Sequence, residues 1–229
     1  MATVWLVPLL SLLLVCRAAP AEPLFRQILG WGGGDPAVVA PAAAEVGVTD
    51  LAVWNHDPAY LTRLAAAARP LGLKTYSCIW LGEQPAWQRY FPGVAPPLQQ
   101  MNAAEEAAAV AIAAELKAGP SVYQYGGEPV RAGLEVFTDP LLCPHDPRVA
   151  ELFRRQIADL LAVEGLRGIA FDYFGYRNYR TCHCPVSQAA QAAWQAQHPE
   201  VEPARAAARF ALESLVGLCN ALADHARRL

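Results

Sequence analysis

Residues 165–184 have the sequence Gly-Leu-Arg-Gly-Ile-Ala-Phe-Asp-Tyr-Phe-Gly-Tyr-Arg-Asn-Tyr-Arg-Thr-Cys-His-Cys, in which an apolar run precedes one acidic residue and a polar, aromatic loop. The run over residues 166–171 is typical of a strand buried in a parallel sheet, because helices cover both faces of such a strand. Asp172 follows where that strand ends, and α/β proteins gather their functional residues at the carboxyl ends of strands. We therefore predict a functional role for Asp172; the alternative is that it only caps the next segment.

The same alternation of strand and helix extends over much of the chain. Strand-like runs cover residues 24–29, 48–54 and 73–81, in addition to the run before Asp172. Asp-Pro pairs at residues 35–36, 57–58 and 146–147 predict three helix starts. The Asp side chain accepts a hydrogen bond from a first-turn amide, and proline fits that turn because it has no N–H to lose. This alternation predicts an α/β fold with a parallel sheet and right-handed crossovers.

The strand-helix rhythm is interrupted between residues 82 and 140, which contain a proline-rich loop, a helix over residues 101–117 and an irregular aromatic segment. Barrel enzymes build substrate-facing loops from such insertions after a strand. After residue 184 the sequence predicts helices, with a break near residues 199–203. Four strand-helix units make half of an eight-stranded TIM-type (β/α) barrel. We expect residues 22–229 to be a truncated barrel; the alternative is a small open sheet.

Composition and the N-terminal segment limit the class of protein. The chain has 229 residues, of which 54% are hydrophobic and 17% charged, and these values are typical of a globular protein. A net charge of −3 without a basic stripe argues against a nucleic-acid partner.

The apolar stretch over residues 4–15 is too short to span a bilayer, and small residues suited to cleavage follow it. We predict a signal peptide over residues 1–21 and a secreted or periplasmic protein, in preference to a lipoprotein anchored at Cys16.

Cysteine usage leaves three alternatives open. Beyond Cys16 the sequence has an odd number of cysteines, so they cannot all pair within one chain; they are Cys78, Cys143, Cys182, Cys184 and Cys219. In an exported protein we expect a bridge from Cys143 to Cys182 or Cys184. The alternatives are free thiols or a metal cluster of these three cysteines with His145 and His183, since thiolate and imidazole are the preferred ligands of zinc. No cofactor is predicted.

Aromatic residues follow the predicted strands. Trp31, Trp54 and Trp80 each lie at or near a strand end, so they are expected on one rim, where indole faces stack on sugar rings. The alternative is that they fill the barrel or cover its helices. Hydrogen-bonding side chains accompany them and complete the predicted substrate-binding set; these are Asn55, His56, Tyr173, Tyr176 and Arg177.

Three segments carry a resemblance to a known family. They are Cys-Pro-His-Asp-Pro-Arg-Val at residues 143–149, Gly-Ile-Ala-Phe-Asp-Tyr-Phe-Gly-Tyr-Arg at residues 168–177 and Cys-His-Cys at residues 182–184. This pattern resembles glycoside-hydrolase-like TIM barrels, and is distantly similar to α-L-fucosidases and barrel β-galactosidases around the fourth strand. The resemblance in the order of predicted strands and helices covers residues 24–197, whereas the specific motifs lie only in residues 143–184. The third cysteine of that family's Cys-x-Cys-x-x-Cys loop is replaced by Ser187.

The resemblance implies that Asp172 is the nucleophile of a secreted glycoside hydrolase that acts on an oligo- or polysaccharide. Such retaining enzymes need a second carboxyl group as acid and base. Glu128, Glu135 and Asp139 lie in the insertion, whereas the usual partner would lie on a strand beyond residue 229. A chain truncated there is expected to be inactive. The alternative is a non-catalytic carbohydrate-binding barrel, or pseudoenzyme.

Overall fold

The computed structural model describes residues 27–31, 33–82, 84–118 and 139–229. The leader over residues 1–21 lies outside these residues, as do Glu128 and Glu135. Four strands are described: β1 Ile28–Trp31, β2 Asp50–Val53, β3 Lys74–Ile79 and β4 Gly168–Phe171. The α-helices of the described residues are α1 Pro36–Glu45, α2 Pro58–Ala68, α3 Gln84–Tyr90, α4 Ala103–Ala118, α5 Pro147–Leu161, α6 Pro185–Gln197 and α7 Pro203–Arg228.

All four strands run parallel in one sheet, in the order β1-β2-β3-β4. The prediction of an α/β fold with a four-stranded parallel sheet is therefore confirmed. Sequential order is also the arrangement of half a (β/α) barrel, and the described residues form no closed barrel. Because Ile79 is paired with Phe171, the loops after β3 and β4 leave the sheet side by side.

The Asp-Pro pairs begin helices as predicted. Asp35, Asp57 and Asp146 are the N-caps of α1, α2 and α5, and each side chain accepts a hydrogen bond from the amide two residues on, at 2.9–3.0 Å. Proline occupies the first turn of each helix. These interactions are local, and for that reason the sequence alone predicted them.

The main core lies between the sheet and the helices on one of its faces. Leu51, Val53 and Ile79 point from the strands into this core, where they meet α2 and α5. Along α5 the residues at helical spacing are fully buried or nearly so: Val149, Leu152, Phe153, Ile157 and Leu160. The alternate strand residues, starting with Asp50 and Ala52, point to the opposite face of the sheet.

Two features of the helices were not predicted. α3 lies inside the interrupted region, where its Trp87 is fully buried and donates a hydrogen bond from Nε1 to the Val94 carbonyl at 2.8 Å. By length and composition, α7 is a helix that could cross a membrane, although the sequence indicated no such segment after the leader. In the structure α7 packs against α5, α6 and β4 through buried residues that include Phe210 and Leu222.

Removal of the α5 N-cap gives a stability prediction. The Asp146 carboxylate caps α5 and also accepts hydrogen bonds from Arg148 Nε at 2.9 Å and Nη2 at 2.7 Å. We expect Asp146→Ala to lower the free energy of unfolding by about 1–2 kcal/mol at neutral pH, because a first-turn amide and a guanidinium lose their acceptor. Urea unfolding of both proteins measures the difference.

The same residue makes that difference depend on pH. Hydrogen bonds from Arg148 hold the pKa of Asp146 below its ordinary value. The contribution of Asp146 is therefore complete above the unfolded-state pKa and is lost as the pH falls through the lowered native pKa. Asp146→Asn keeps a capping oxygen without the charge and serves as the control. Equal stability of wild type and Asp146→Ala at neutral pH would contradict this prediction.

Candidate functional site

The carboxylate of Asp172 meets an indole at the carboxyl edge of the sheet. Asp172 directly follows β4, where its backbone N–H donates to the Ile79 carbonyl of β3 at 2.9 Å. Its Oδ2 accepts a hydrogen bond from Trp54 Nε1, at the end of β2, at 2.7 Å. The side chains that follow β2 and β4 thus meet across the end of β3. Trp54 and Asp172, which were both predicted as site residues, are therefore in contact in the structure. The catalytic role of Asp172 stays a prediction.

Glycines in β1 and β4 leave room for aromatic rings to approach the strands closely. A Cβ atom on Gly30 would be 2.7 Å from the ring of Trp54, and one on Gly168 would be 3.2 Å from the ring of Tyr76. Trp54 nevertheless keeps 42% of its surface exposed, so the ring remains accessible to a ligand. In the structure β1 continues through Gly30 to Trp31, whereas the sequence predicted its end at residue 29.

A buried carboxylate lies on the sheet face opposite the main core. Asp50 is only 1% exposed, and it accepts hydrogen bonds from Tyr76 Oη at 3.0 Å and Thr49 Oγ1 at 2.7 Å. Sequence analysis did not single out Asp50 or Tyr76, although a charged residue at the start of an apolar strand was the available signal. Further toward the carboxyl edge, burial and the negative charge of Asp172 raise the pKa of Cys78 to about 11, which keeps this thiol protonated.

Trp80, which follows β3, contributes to a depression at this edge. The depression has a volume of about 550 Å³, and its polar lining includes Gln88 and Asp139. The Trp80 ring packs directly over Gly82 and is half-buried. An indole face beside amide and carboxylate groups matches the surface of a sugar ring, which has apolar C–H faces and polar edges. Asp139, one of the candidates for the second carboxyl group, lies exposed in this depression.

Asn55 and His56 make contacts that support the loop after β2. Asn55 Oδ1 accepts from the Asp57 amide at 2.9 Å, in the turn that leads into α2. The His56 ring lies 2.7 Å from the Cys78 carbonyl through Nε2 and 3.2 Å from Gln156 Nε2 through Nδ1. A carbonyl only accepts, so Nε2 carries the proton and Nδ1 accepts from the Gln156 amide. These contacts give both residues a structural role, and their predicted contact with sugar hydroxyls is untested.

The remaining predicted residues lie at different places. Arg177, one of the predicted substrate-binding residues, lies 3.1 Å from Glu106 Oε1 of α4 through its Nη1. Tyr176 is buried beneath the loop, next to His145. Tyr173 is half-buried, with a left-handed φ of 45°. For Trp31 the backbone of β1 is described, whereas its side chain lies outside the described part of the chain.

A buried acid from α4 anchors the loop after β4. Glu105 is 3% exposed, and its Oε2 accepts from Asn178 Nδ2 at 2.9 Å and from the Asn102 amide at 3.1 Å. Asn102 Oδ1 in turn accepts from the Glu105 amide at 3.0 Å. This reciprocal pair is a capping box with Asn at the N-cap and Glu three residues later. That spacing was visible in the sequence, and it was missed.

Three cysteines form a buried cluster beside this loop. The sulfur atoms of Cys143, Cys182 and Cys184 all lie within 4.8 Å of one another. The Cys143 and Cys184 sulfurs are 3.5 Å apart, a thiol contact and not the bond of about 2.05 Å that joins a disulfide. All three cysteines are therefore thiols in this structure. The bridge expected in an oxidising compartment remains a prediction.

Within the cluster the thiols differ in acidity. The hydrogen bond with Cys143 and those from the Cys184 and Gln100 amides outweigh burial, and lower the pKa of Cys182 to about 5. The hydrogen bond with Cys182 and burial raise the pKa of Cys143. Burial also lowers the pKa of His145. The three sulfurs, with the Ser187 hydroxyl 3.1 Å from Cys143 Sγ, are the described residues best arranged to hold a metal ion.

Comparisons with known proteins give a weak structural similarity and no family. No protein-family model matches the chain, and no curated protein matches it. Among solved structures, the chain is similar to alpha-L-fucosidase isoenzyme 2 from Paenibacillus thiaminolyticus, with a TM-score of 0.47 and 14% sequence identity. The similarity covers 89% of this chain and 30% of the fucosidase chain, so the chain spans less than a third of that enzyme's length. A similarity at this level assigns no activity.

Proposed function

We propose that this chain is part of an exported (β/α) barrel that binds a saccharide at the carboxyl edge of its sheet and hydrolyses it with Asp172 as nucleophile. The contact between Trp54 Nε1 and Asp172 Oδ2 carries the proposal. It orients a carboxylate at the edge where such folds concentrate their chemistry, beside an indole that is open to a ligand. Export rests on the leader predicted over residues 1–21.

In this proposal Asp172 attacks the anomeric carbon while Trp54 holds one carboxylate oxygen. Oδ2 accepts the indole N–H, so attack comes from Oδ1. The C–O bond to the leaving group breaks, and the leaving oxygen takes a proton from a second carboxyl group about 5–5.5 Å away. That group, now ionised, removes a proton from water, which releases the sugar and restores Asp172. Asp139, Glu128, Glu135 or a residue on a further strand supplies it.

The depression at Trp80 is the proposed binding surface for the sugar. Its indole would stack on one ring, with Gln88 and Asp139 available to the hydroxyl groups. This surface does not depend on a second carboxyl group, and for that reason it equally supports the alternative function. That alternative is a barrel that binds carbohydrate without hydrolysing it.

Saccharide binding by the 229-residue chain tests this proposal. We expect members of a panel of plant and microbial oligosaccharides to bind in isothermal titration calorimetry. Trp80→Ala is expected to weaken that binding roughly threefold to tenfold, because the stacking surface is lost. Trp194→Ala is the matched control, since Trp194 lies on α6, where its Nε1 donates to Glu213 of α7.

Reducing-sugar release by a protein that carries the complete barrel separates the two functions. Release together with binding supports the hydrolase, whereas binding without release under all conditions supports the non-catalytic protein. Absence of binding across the panel would contradict both. Equal weakening by the Trp80 and Trp194 substitutions would contradict the depression as the binding surface.

A further inference from the structure

The cysteine cluster has the geometry of a metal site with an unusual fourth position. We propose that Cys143, Cys182 and Cys184 bind a zinc ion as thiolates, and that the hydroxyl oxygen of Ser187 is its fourth ligand. This inference goes beyond the proposed hydrolase and does not rest on it. The site holds the loop that follows β4 in place.

The sulfur atoms lie near the positions that a tetrahedral ion requires. With Zn–S bonds of about 2.3 Å, sulfur ligands are about 3.8 Å apart. Cys143 Sγ and Cys184 Sγ are separated by 3.5 Å, and the third sulfur, of Cys182, lies within 4.8 Å of both. All three residues are buried, so one ion can contact them with little access to water.

Ser187 occupies the fourth corner. Its Oγ is 3.1 Å from Cys143 Sγ and 3.3 Å from Cys184 Sγ. For a zinc ion with one oxygen ligand at about 2.1 Å, the oxygen would lie about 3.6 Å from each sulfur. The Ser187 side chain is also buried, at 1% exposure, and its position in the first turn of α6 directs it at the cluster.

The hydrogen bonds around Ser187 leave its oxygen lone pairs available to a metal. Tyr176 Oη donates its one proton to the Ala211 carbonyl at 3.2 Å, so it accepts from His145 Nε2, 3.0 Å away. His145 Nδ1 therefore carries no proton and accepts the hydroxyl proton of Ser187, 2.6 Å away. This chain of donors turns the Ser187 oxygen toward the sulfurs.

Backbone amides favour thiolates at two of the three cysteines. The amides of Gln100 and Cys184 point at Cys182 Sγ, at 3.4 Å and 3.5 Å. The Ser187 amide donates to Cys184 Sγ at 3.5 Å, where Cys184 is the N-cap of α6 and meets the positive end of the helix dipole. Zinc binding would displace the remaining thiol protons to solvent. Thiolate-rich tetrahedral sites select zinc over harder cations.

A metal at this place would join two separate segments, the one before α5 and the one that runs from β4 into α6. Cys143 lies in the segment before α5, Cys182 in the loop after β4, and Cys184 with Ser187 at the start of α6. The loop carries only a few apolar residues into the core. A metal cross-link therefore accounts for the burial of Cys143, Cys182 and Cys184, together with Tyr176, in a cluster separate from the main core.

The test measures zinc and cobalt binding by the full chain, purified under reducing conditions. We expect stoichiometric zinc in the isolated protein, and thiolate-to-cobalt charge-transfer absorption after exchange with Co²⁺. Ser187→Ala and His145→Gln are expected to weaken zinc binding about 10- to 100-fold in competition with a chromogenic chelator. Ser187→Cys adds a thiolate, so it should tighten binding and intensify the charge-transfer band. Ser214→Ala, a serine of α7 that bonds only to its own helix in the structure, is the control.

Three outcomes would overturn the proposal. The first is a reduced, folded wild-type protein that binds neither zinc nor cobalt, and the second is a disulfide between Cys143 and Cys184 in the protein isolated from its native compartment. The third is a Ser187→Ala protein with unchanged zinc affinity and cobalt spectrum, which would exclude the serine as a ligand. Because every readout is metal binding, failure here leaves the proposed hydrolase standing, and the reverse also holds.

Discussion

In a protein that carries the complete barrel, Asp172→Asn is expected to reduce the release of dinitrophenolate from an activated aryl glycoside by several orders of magnitude. The carboxamide is nearly the same size as the carboxylate and still accepts the Trp54 indole N–H through its oxygen, so the fold should be retained. The amide is a poor nucleophile, however, and the glycosyl-enzyme bond would not form. A dinitrophenolate leaving group needs no proton, so the assay tests the nucleophile without relying on the second carboxyl group.

The matched control for this experiment is Asp224→Asn. Asp224 lies near the end of α7, where its exposed carboxylate pairs with Arg227 at 2.7 Å. Its substitution should leave dinitrophenolate release unchanged. Equal rates for wild type and Asp172→Asn would contradict the assignment of the nucleophile. A mass shift of one glycosyl unit on the peptide that contains Asp172, after reaction with a slow fluorinated glycoside, would support it directly.

Phe153→Ala is expected to lower the free energy of unfolding by about 3–5 kcal/mol, because it leaves a cavity in the centre of the core. Phe153 is fully buried on α5, and its ring centroid lies 5.1 Å from that of Phe174. Phe174 in turn contacts Phe171 of β4, with the centroids 5.2 Å apart. Loss of the Phe153 ring would therefore also loosen the loop that begins at Asp172. Urea denaturation gives the change in free energy.

Arg154→Ala is the control for the core substitution. Arg154 is the next residue on α5 and lies on its exposed face, so the expected change is within about 0.5 kcal/mol. A loss of less than 1 kcal/mol for Phe153→Ala, about the cost of an ordinary surface change, would show that the site collapses around the smaller side chain.

The sequence predicted those parts of the fold that depend on neighbours along the chain. The capping roles of Asp35, Asp57 and Asp146 require only amides two residues away, and all three were predicted correctly. The order of four parallel strands followed from the alternation of apolar runs and helices. The position of Asp172 at the carboxyl end of β4 was predicted in the same way, from the apolar run that precedes it.

Contacts between segments that are distant along the chain could not be predicted from the sequence. Arg177 was predicted to bind substrate, and its ion pair with Glu106, which lies 71 residues earlier across the insertion, was not foreseen. Likewise, the replacement of a cysteine by Ser187 suggested an incomplete cluster. The structure shows that the hydroxyl lies beside two of the sulfurs, and that His145 and Tyr176 orient it. Such relations depend on the packing of α4 and α6, which no local pattern specifies.

The long excursion between β3 and β4 has a consequence for the order in which the chain folds. The connection from Val53 to Lys74 is short, whereas the one from Ile79 to Gly168 is about four times as long, and its closure costs about 1 kcal/mol more in chain entropy. The successive βαβ units formed by β1, α1, β2, α2 and β3 can therefore assemble early from nearby contacts. The pairing of β4 with β3 is the slow, non-local step, and the edge that bears Asp172 is completed last.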